Sequence, residues 1–255
     1  MAELNWDHTM INVIDLEQAI KQLGERGIVF KFGGDHKQWG TTNALGYFGI
    51  NYIELLSVNN SEVAQQVKRS EGASVFDAIQ DYQSNQERFN TIAIRTTDIE
   101  ETHQRLAKIG IKVGPVEVGQ RLDPTGKLIK WLIFFIDDYF EGLPYPFVIQ
   151  WAGTDETRAA ELTANGLITA HPAGDLKVQQ AIFEVNNPKK VAELWGNIVD
   201  KNVDAVANDF MIDLNERQLI FTAGSANHLV ALRFTGAKDS LKGQTVKLGN
   251  AKLIF

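Results

Sequence analysis

Cysteine is absent from the 255 residues, and that one absence removes disulfides, thiolate metal sites, iron–sulfur clusters and cysteine nucleophiles together. A metal, if bound, must be held by histidine, carboxylate or amide groups. Excess positive charge is also missing: 25 lysines and arginines stand against 32 acidic residues, for a formal net charge of −7. The basic residues do not cluster, so the electrostatic footprint of a nucleic-acid binder is lacking. No stretch approaches the roughly 18 apolar residues of a membrane span. The opening residues MAELNWDH carry no basic segment followed by an apolar run, and this reading expects a cytoplasmic protein with neither membrane nor nucleic acid as partner. The sequence contains no GxSxG, no GxxxxGK[ST] and no GxGxxG opening a helix, so serine hydrolase, phosphate-loop and dinucleotide-binding readings lose their mechanical core. Asp204, Asp209 and Asp213 lack the glycine and spacing of a calcium loop.

What is present is apolar material enough for a sizeable core, 44% of the chain, in a length that suits one large domain or two small ones. The stretch from Gly33 to Val58, GGDHKQWGTTNALGYFGINYIELLSV, concentrates the chemistry. Glycines punctuate a polar cluster of His36, Trp39, Thr41 and Asn43, which the turns between them hold at one end of a sheet. Strand alternation in YIELLSV puts Tyr52, Glu54 and Leu56 on one face. A carboxylate among apolar neighbours needs a partner, and His8 is the nominated one.

The chain also repeats itself. HTMINVI (8–14) reads as a strand. Asp15 caps a helix with apolar positions Leu16, Ala19, Ile20 and Leu23 that stops at Gly24 or Gly27, and three strands follow, beginning with IVFKF (28–32). An offset of 83 restores the order: Asp15 falls on Asp98, Ile11 on Ile94 and Leu16 on Ile99. FNTIAIRT, a helix to Gly110, IKVGPVEV, KLIKWLIFFID and PFVIQWAG are the second set. An offset of 172 gives a third, with VQQAIFEV, a helix capped by Asn187 with Pro188 at its first position, and the strands DFMIDL, RQLIFTA and HLVALRF. TDETRAAELTANG reads as a helical connector, HPAGD as a loop, and TVKLGNAKLIF as a hairpin around Gly249-Asn250.

A βαβββ unit in tandem resembles the vicinal oxygen chelate superfamily, and within it the glyoxalase-like domain family. The residues that carry the resemblance are DHTMINVIDLEQAI, GGDHKQWGTTNALGYFGINYIELL, the segment Arg121…Pro124-Thr-Gly126…Trp131, PFVIQW and HPAG. It implies an α+β fold in which units 1–60 and 86–152 pair into an open, barrel-like curled sheet with helices outside. Residues 153–177 then form a connector and 178–255 a third related unit, which leaves one unit to stand alone or to meet a second copy in a homodimer. The resemblance further implies a divalent metal (Zn, Mn, Ni or Fe) held by His8 and Glu54, with His36 as a third ligand. In the other units the matching positions are Thr91, Gln150 and Gln180, which are poorer donors.

Two functions stay open. In one, His8 and Glu54, with or without a metal, act on a small oxygen-rich α-keto or enolisable substrate, in lyase, isomerase or dioxygenase chemistry; His36, Trp39, Thr41, Asn43, Arg121, Trp131 and Gln150 bind it. In the other, the same cavity sequesters a small molecule between the walls of Trp39, Trp131 and Trp151, with no metal.

Overall fold

A computed structural model of the protein describes residues 2–122, 126 and 128–255, and of residues 121 and 122 the backbone alone. The side chain of Arg121 and the turn at Pro124 thus lie outside the described residues. In chain order the elements are β1 (Leu4–Asn12), α1 (Leu16–Gly24), β2 (Lys31–His36), β3 (Thr41–Phe48), β4 (Asn51–Val58), α2 (Ser61–Ala64), α3 (Ala73–Gln83), β5 (Arg88–Thr96), α4 (Ile99–Lys108), β6 (Glu117–Leu122), β7 (Leu128–Phe134), β8 (Tyr139–Phe140), β9 (Leu143–Pro144) and β10 (Phe147–Trp151). They continue with α5 (Asp155–Ala164), β11 (Gly174–Val185), α6 (Pro188–Val199), β12 (Asp204–Val206), β13 (Asp209–Leu214), β14 (Arg217–Ala223), β15 (His228–Ala237), β16 (Thr245–Leu248) and β17 (Ala251–Ile254).

Three helices start by one local device. Asp15, Asp98 and Asn187 each accept a hydrogen bond from the backbone N–H three residues on, at 2.9, 3.0 and 3.2 Å, satisfying a donor the helix cannot. Each then buries one apolar stripe, Leu16, Ala19 and Leu23 in α1, Ile99 and Leu106 in α4, Val191, Trp195 and Ile198 in α6. The repeat is therefore written first in helix caps and then in the faces behind them.

The first two units join into one eight-stranded sheet of order β2-β3-β4-β1-β5-β10-β7-β6. At its centre β1 and β5 pair antiparallel, while β1 with β4 and β5 with β10 are parallel. The sheet curls until its edge strands β2 and β6 approach each other, leaving a half-barrel with a concave interior. Two stretches depart from the sequence reading. The strand expected over 28–32 lies at Lys31–His36, so His36 belongs to a strand and only the residues up to Thr41 form the turn. Residues 59–87, unassigned by periodicity, supply α2 and α3, which pack with Trp39 in a small cluster of Ala64, Val67, Val75 and Ile79.

The remaining strands form a seven-stranded sheet of order β12-β13-β14-β11-β15-β17-β16. Here β14 runs parallel to β11, as β4 does to β1, and β15 runs antiparallel to it, as β5 does to β1. β17 then lies parallel to β15, as β10 does to β5. HLVALRF is thus the first strand of a shortened fourth unit, and the third unit finds its partner within the chain. One continuous core crosses both sheets, from Trp6, Ile11 and Phe48 to Phe183, Trp195 and Phe234.

Two histidines tie the sheets together. His171 accepts from the Val29 N–H at Nδ1 (3.0 Å) and its Nε2 donates to the Tyr47 carbonyl (2.8 Å). His228 on β15 donates from Nε2 to the Phe89 carbonyl of β5 at 2.6 Å. Burial first, and the Arg88 charge second, push His228 down to about 4. The unfolded chain takes up this proton near pH 6.5 and the folded one only near 4, so stability falls as pH drops through that window. The loss is on the order of 3 kcal/mol. Urea midpoints measured between pH 7 and 4 are expected to show this slope in the native chain and a flatter one in His228→Gln, which keeps an N–H for Phe89.

Candidate functional site

Alternation brings one face of six strands into the half-barrel. His8 and Met10 come from β1, Asn43, Leu45 and Tyr47 from β3, Tyr52, Glu54 and Leu56 from β4, Trp131 and Ile133 from β7, Phe147, Ile149 and Trp151 from β10, and His36 from the end of β2. Trp39 closes one side from its turn, Phe135 lies just beyond β7, and α3 adds Ser74 and Val75. The residues singled out in the sequence therefore meet in one cavity, with three exceptions. Thr41 is buried and supports His36 through a 3.2 Å contact between Oγ1 and Nδ1 without lining the cavity. Gln150 points away from the cavity, its side-chain oxygen accepting from the Ile99 N–H at the start of α4 (2.7 Å). Arg121 has no described side chain.

His8 and Glu54 face each other, Nε2 to Oε2, at 3.6 Å, too far for a hydrogen bond. Each is held from behind. Asp7 accepts from His8 Nδ1 at 2.7 Å, which leaves Nε2 of the neutral ring as an acceptor toward the cavity. Asn43 Nδ2 donates to Glu54 Oε1 at 2.7 Å, which leaves Oε2 facing His8. The imidazole stacks on Tyr52 at 4.3 Å and meets Phe147 edge-on at 5.4 Å.

Strand alternation alone would send Asp7 to the opposite side from His8. The pairing of β1 with β5 slips between Trp6 and His8, and this bulge re-aims the side chain. Asp7 is fully buried and takes contacts from Arg158 (3.3 Å), Trp151 Nε1 (3.1 Å) and His8. Burial pushes its carboxyl up, but the Arg158 charge, the His8 hydrogen bond and Arg95 together outweigh this and hold it at about 2. Asp7 is thus a fixed anion behind the imidazole. Neither Asp7 nor Arg158, which comes from the connector helix α5 and also lies 4.3 Å over the Trp151 ring, was singled out in the sequence.

The expected three-ligand set of His8, Glu54 and His36 is not assembled. Among the described residues no group of three or more His, Asp or Glu side chains converges so as to hold a metal ion. The register shows why the second unit adds nothing. Met10 sits beside Glu54, and its counterpart Ala93 sits beside Phe147. Phe147, not Gln150, therefore occupies the position of Glu54, and the position of His8 is held by Thr91, whose hydroxyl donates to the Tyr145 carbonyl. His8, Glu54 and His36 line the cavity without converging, and so do not make the three or four donors a divalent site wants.

The setting of Glu54 depends on a close approach. A methyl group on Gly33 would lie 2.3 Å from Asn43 Oδ1 and 3.1 Å from Leu45 Cγ. Gly33→Ala is expected to push Asn43 off Glu54 and to cost about 1–3 kcal/mol, read as a lowered urea midpoint. Gly24→Ala, with nothing within 4 Å of the added carbon, is the neutral control.

A model of the glyoxalase-like domain family matches residues 6–199. No curated protein matches the chain. Among solved structures, a hypothetical protein from Staphylococcus aureus superposes with a TM-score of 0.84 at 22% identity over 98% of each chain. The Mn(II)-bound glyoxalase from Novosphingobium aromaticivorans superposes at 0.52 and 11% identity, over 92% of this chain and 66% of that one. At such identities the two structures speak for the fold. No helix among the described residues is long and apolar enough to cross a membrane. With its paired βαβββ units curled around one cavity and a family match spanning most of its length, the chain belongs to the glyoxalase-like domain family.

Proposed function

We propose that the cavity takes a small carbonyl compound, α-keto or otherwise enolisable, and that His8 and Glu54 move a proton on its carbon skeleton without a metal. The observation that carries this reading is the facing pair itself, two acceptors 3.6 Å apart, each fixed by a second buried group and both opening on a largely apolar cavity. A proton, or a substrate C–H or O–H, is what such a pair can share. In the neutral form His8 Nε2 accepts it, Asp7 steadies the imidazolium that results, and Glu54 Oε2 stands ready to take or return a proton at the neighbouring atom. Excluding water from between them strengthens each of these interactions.

The test is solvent deuterium uptake at the carbon beside the carbonyl. A panel of hydroxyketones, 1,2-dicarbonyls and α-keto acids is followed by NMR with the wild-type protein, with and without a chelator or added Mn(II), Ni(II) or Zn(II). Exchange that survives the chelator supports the reading, and exchange that appears only with added metal overturns its metal-free part. The aromatic walls favour a second reading, sequestration, for which the mark is saturable binding with no exchange.

A further inference from the structure

We infer that the ligand of this cavity bears a positive charge, an ammonium group in or beside a carbonyl compound, and that anionic α-keto acids are excluded. This rests on the proposed use of the cavity as the ligand site and narrows the class of compound it takes. Among the described residues that line the cavity, Glu54 is the one carboxylate and none is a lysine or an arginine. Among the described residues no Lys or Arg lies within ion-pair distance of Glu54, whose one such neighbour is His8. That histidine already gives its Nδ1 proton to Asp7 and stands too far from Glu54 to donate a hydrogen bond from Nε2. A buried carboxylate without a cation is costly, and the missing partner is supplied from outside the chain.

The walls fit such a partner. Three of the chain's five tryptophans, Trp39, Trp131 and Trp151, line the cavity with Tyr47, Tyr52, Phe135 and Phe147. Aromatic rings attract a cation through their negative faces, and more so when water is excluded. An anion would meet those faces and the Glu54 carboxylate together. Arg158 lies 4.3 Å over the Trp151 ring and 5.9 Å over that of Tyr52, and its charge is paired with Asp7. Burial first, and then the charges of Asp7 and Glu54, raise the Tyr52 phenol well above its ordinary range.

Three probes of one shape separate the charges: choline, its uncharged carbon isostere with a tert-butyl head, and tert-butylacetate, the carboxylate with the same head. Each is titrated against the tryptophan fluorescence of the full chain. Choline is expected to bind about tenfold more tightly than the neutral isostere, with tert-butylacetate weakest. Glu54→Gln, which keeps shape and hydrogen bonding, is expected to remove most of the preference while leaving the neutral probe unchanged. Equal or tighter binding of tert-butylacetate overturns the inference and leaves the cavity reading standing. If that binding is lost in Arg121→Gln, the charge of that arginine is the reason. No response to any of the three, in a protein that also shows no deuterium uptake with the carbonyl panel, removes the cavity reading and the inference with it.

Discussion

His8→Asn is expected to lower the rate of deuterium uptake by about a hundred- to ten-thousandfold, the range a positioned acid–base group contributes. Glu54→Gln should show a loss in the same range, and the double variant little more than either alone, since two groups that share one proton act as a unit. His8 is packed between Tyr52 and Phe147, so a failed fold could imitate a lost base. Asp7→Asn separates the two. An asparagine amide facing Nδ1 turns the ring to the tautomer with its proton on Nε2, leaving His8 in place without its acceptor. The expected result is a variant that binds the neutral probe like wild type yet has lost uptake. Wild-type uptake rates in His8→Asn and Glu54→Gln would end the proton-transfer reading.

Arg158→Met is expected to destabilise the protein by about 3–5 kcal/mol, because it strips the nearest cation from a carboxylate that has no access to water. Against a total of roughly 5–15 kcal/mol for a native domain, urea unfolding will show this plainly. The sign with pH follows from Asp7, which titrates at about 2 in the fold and near 3.8 when unfolded. Its contribution, about 2 kcal/mol, is present above pH 4 and is lost as pH falls toward 2. Without Arg158 the folded carboxyl rises, so acid unfolding should begin at higher pH. An unchanged midpoint and unchanged acid limb would mean that Arg95 alone compensates Asp7.

How far the sequence reached depends on the range over which each feature is encoded. Caps are local, and Asp15, Asp98 and Asn187 announce their helices within four residues. Period-two alternation is nearly as local, so the sequence alone assigns Tyr52, Glu54 and Leu56 to one face and pairs Glu54 with His8. Asp7 is not legible in this way, because the bulge that turns it inward arises in the pairing with β5, 80 residues and more away. Arg158 lies 151 residues from Asp7, and nothing in TDETRAAEL distinguishes a buried arginine from a solvated one. Alignment of the fourth strands makes Gln150 the counterpart of Glu54. The register of β10 on β5 instead matches Phe147 to Glu54, three residues earlier. The fourth unit was missed because it lacks the helix by which the other three are recognised.

The second sheet lacks the chemistry of the first. By the offset of 172 Gln180 stands for His8, and by the register of the parallel strands Ile220 stands for Glu54; none of the described residues that line the cavity comes from this sheet. Phe183, Trp195 and Phe221 nevertheless stack together, with ring centroids 4.9 to 5.7 Å apart, inside the core that runs on beneath β1 and β5. What this half of the chain contributes to the site is therefore volume: a change in the size of its buried rings is felt by the strand that carries His8.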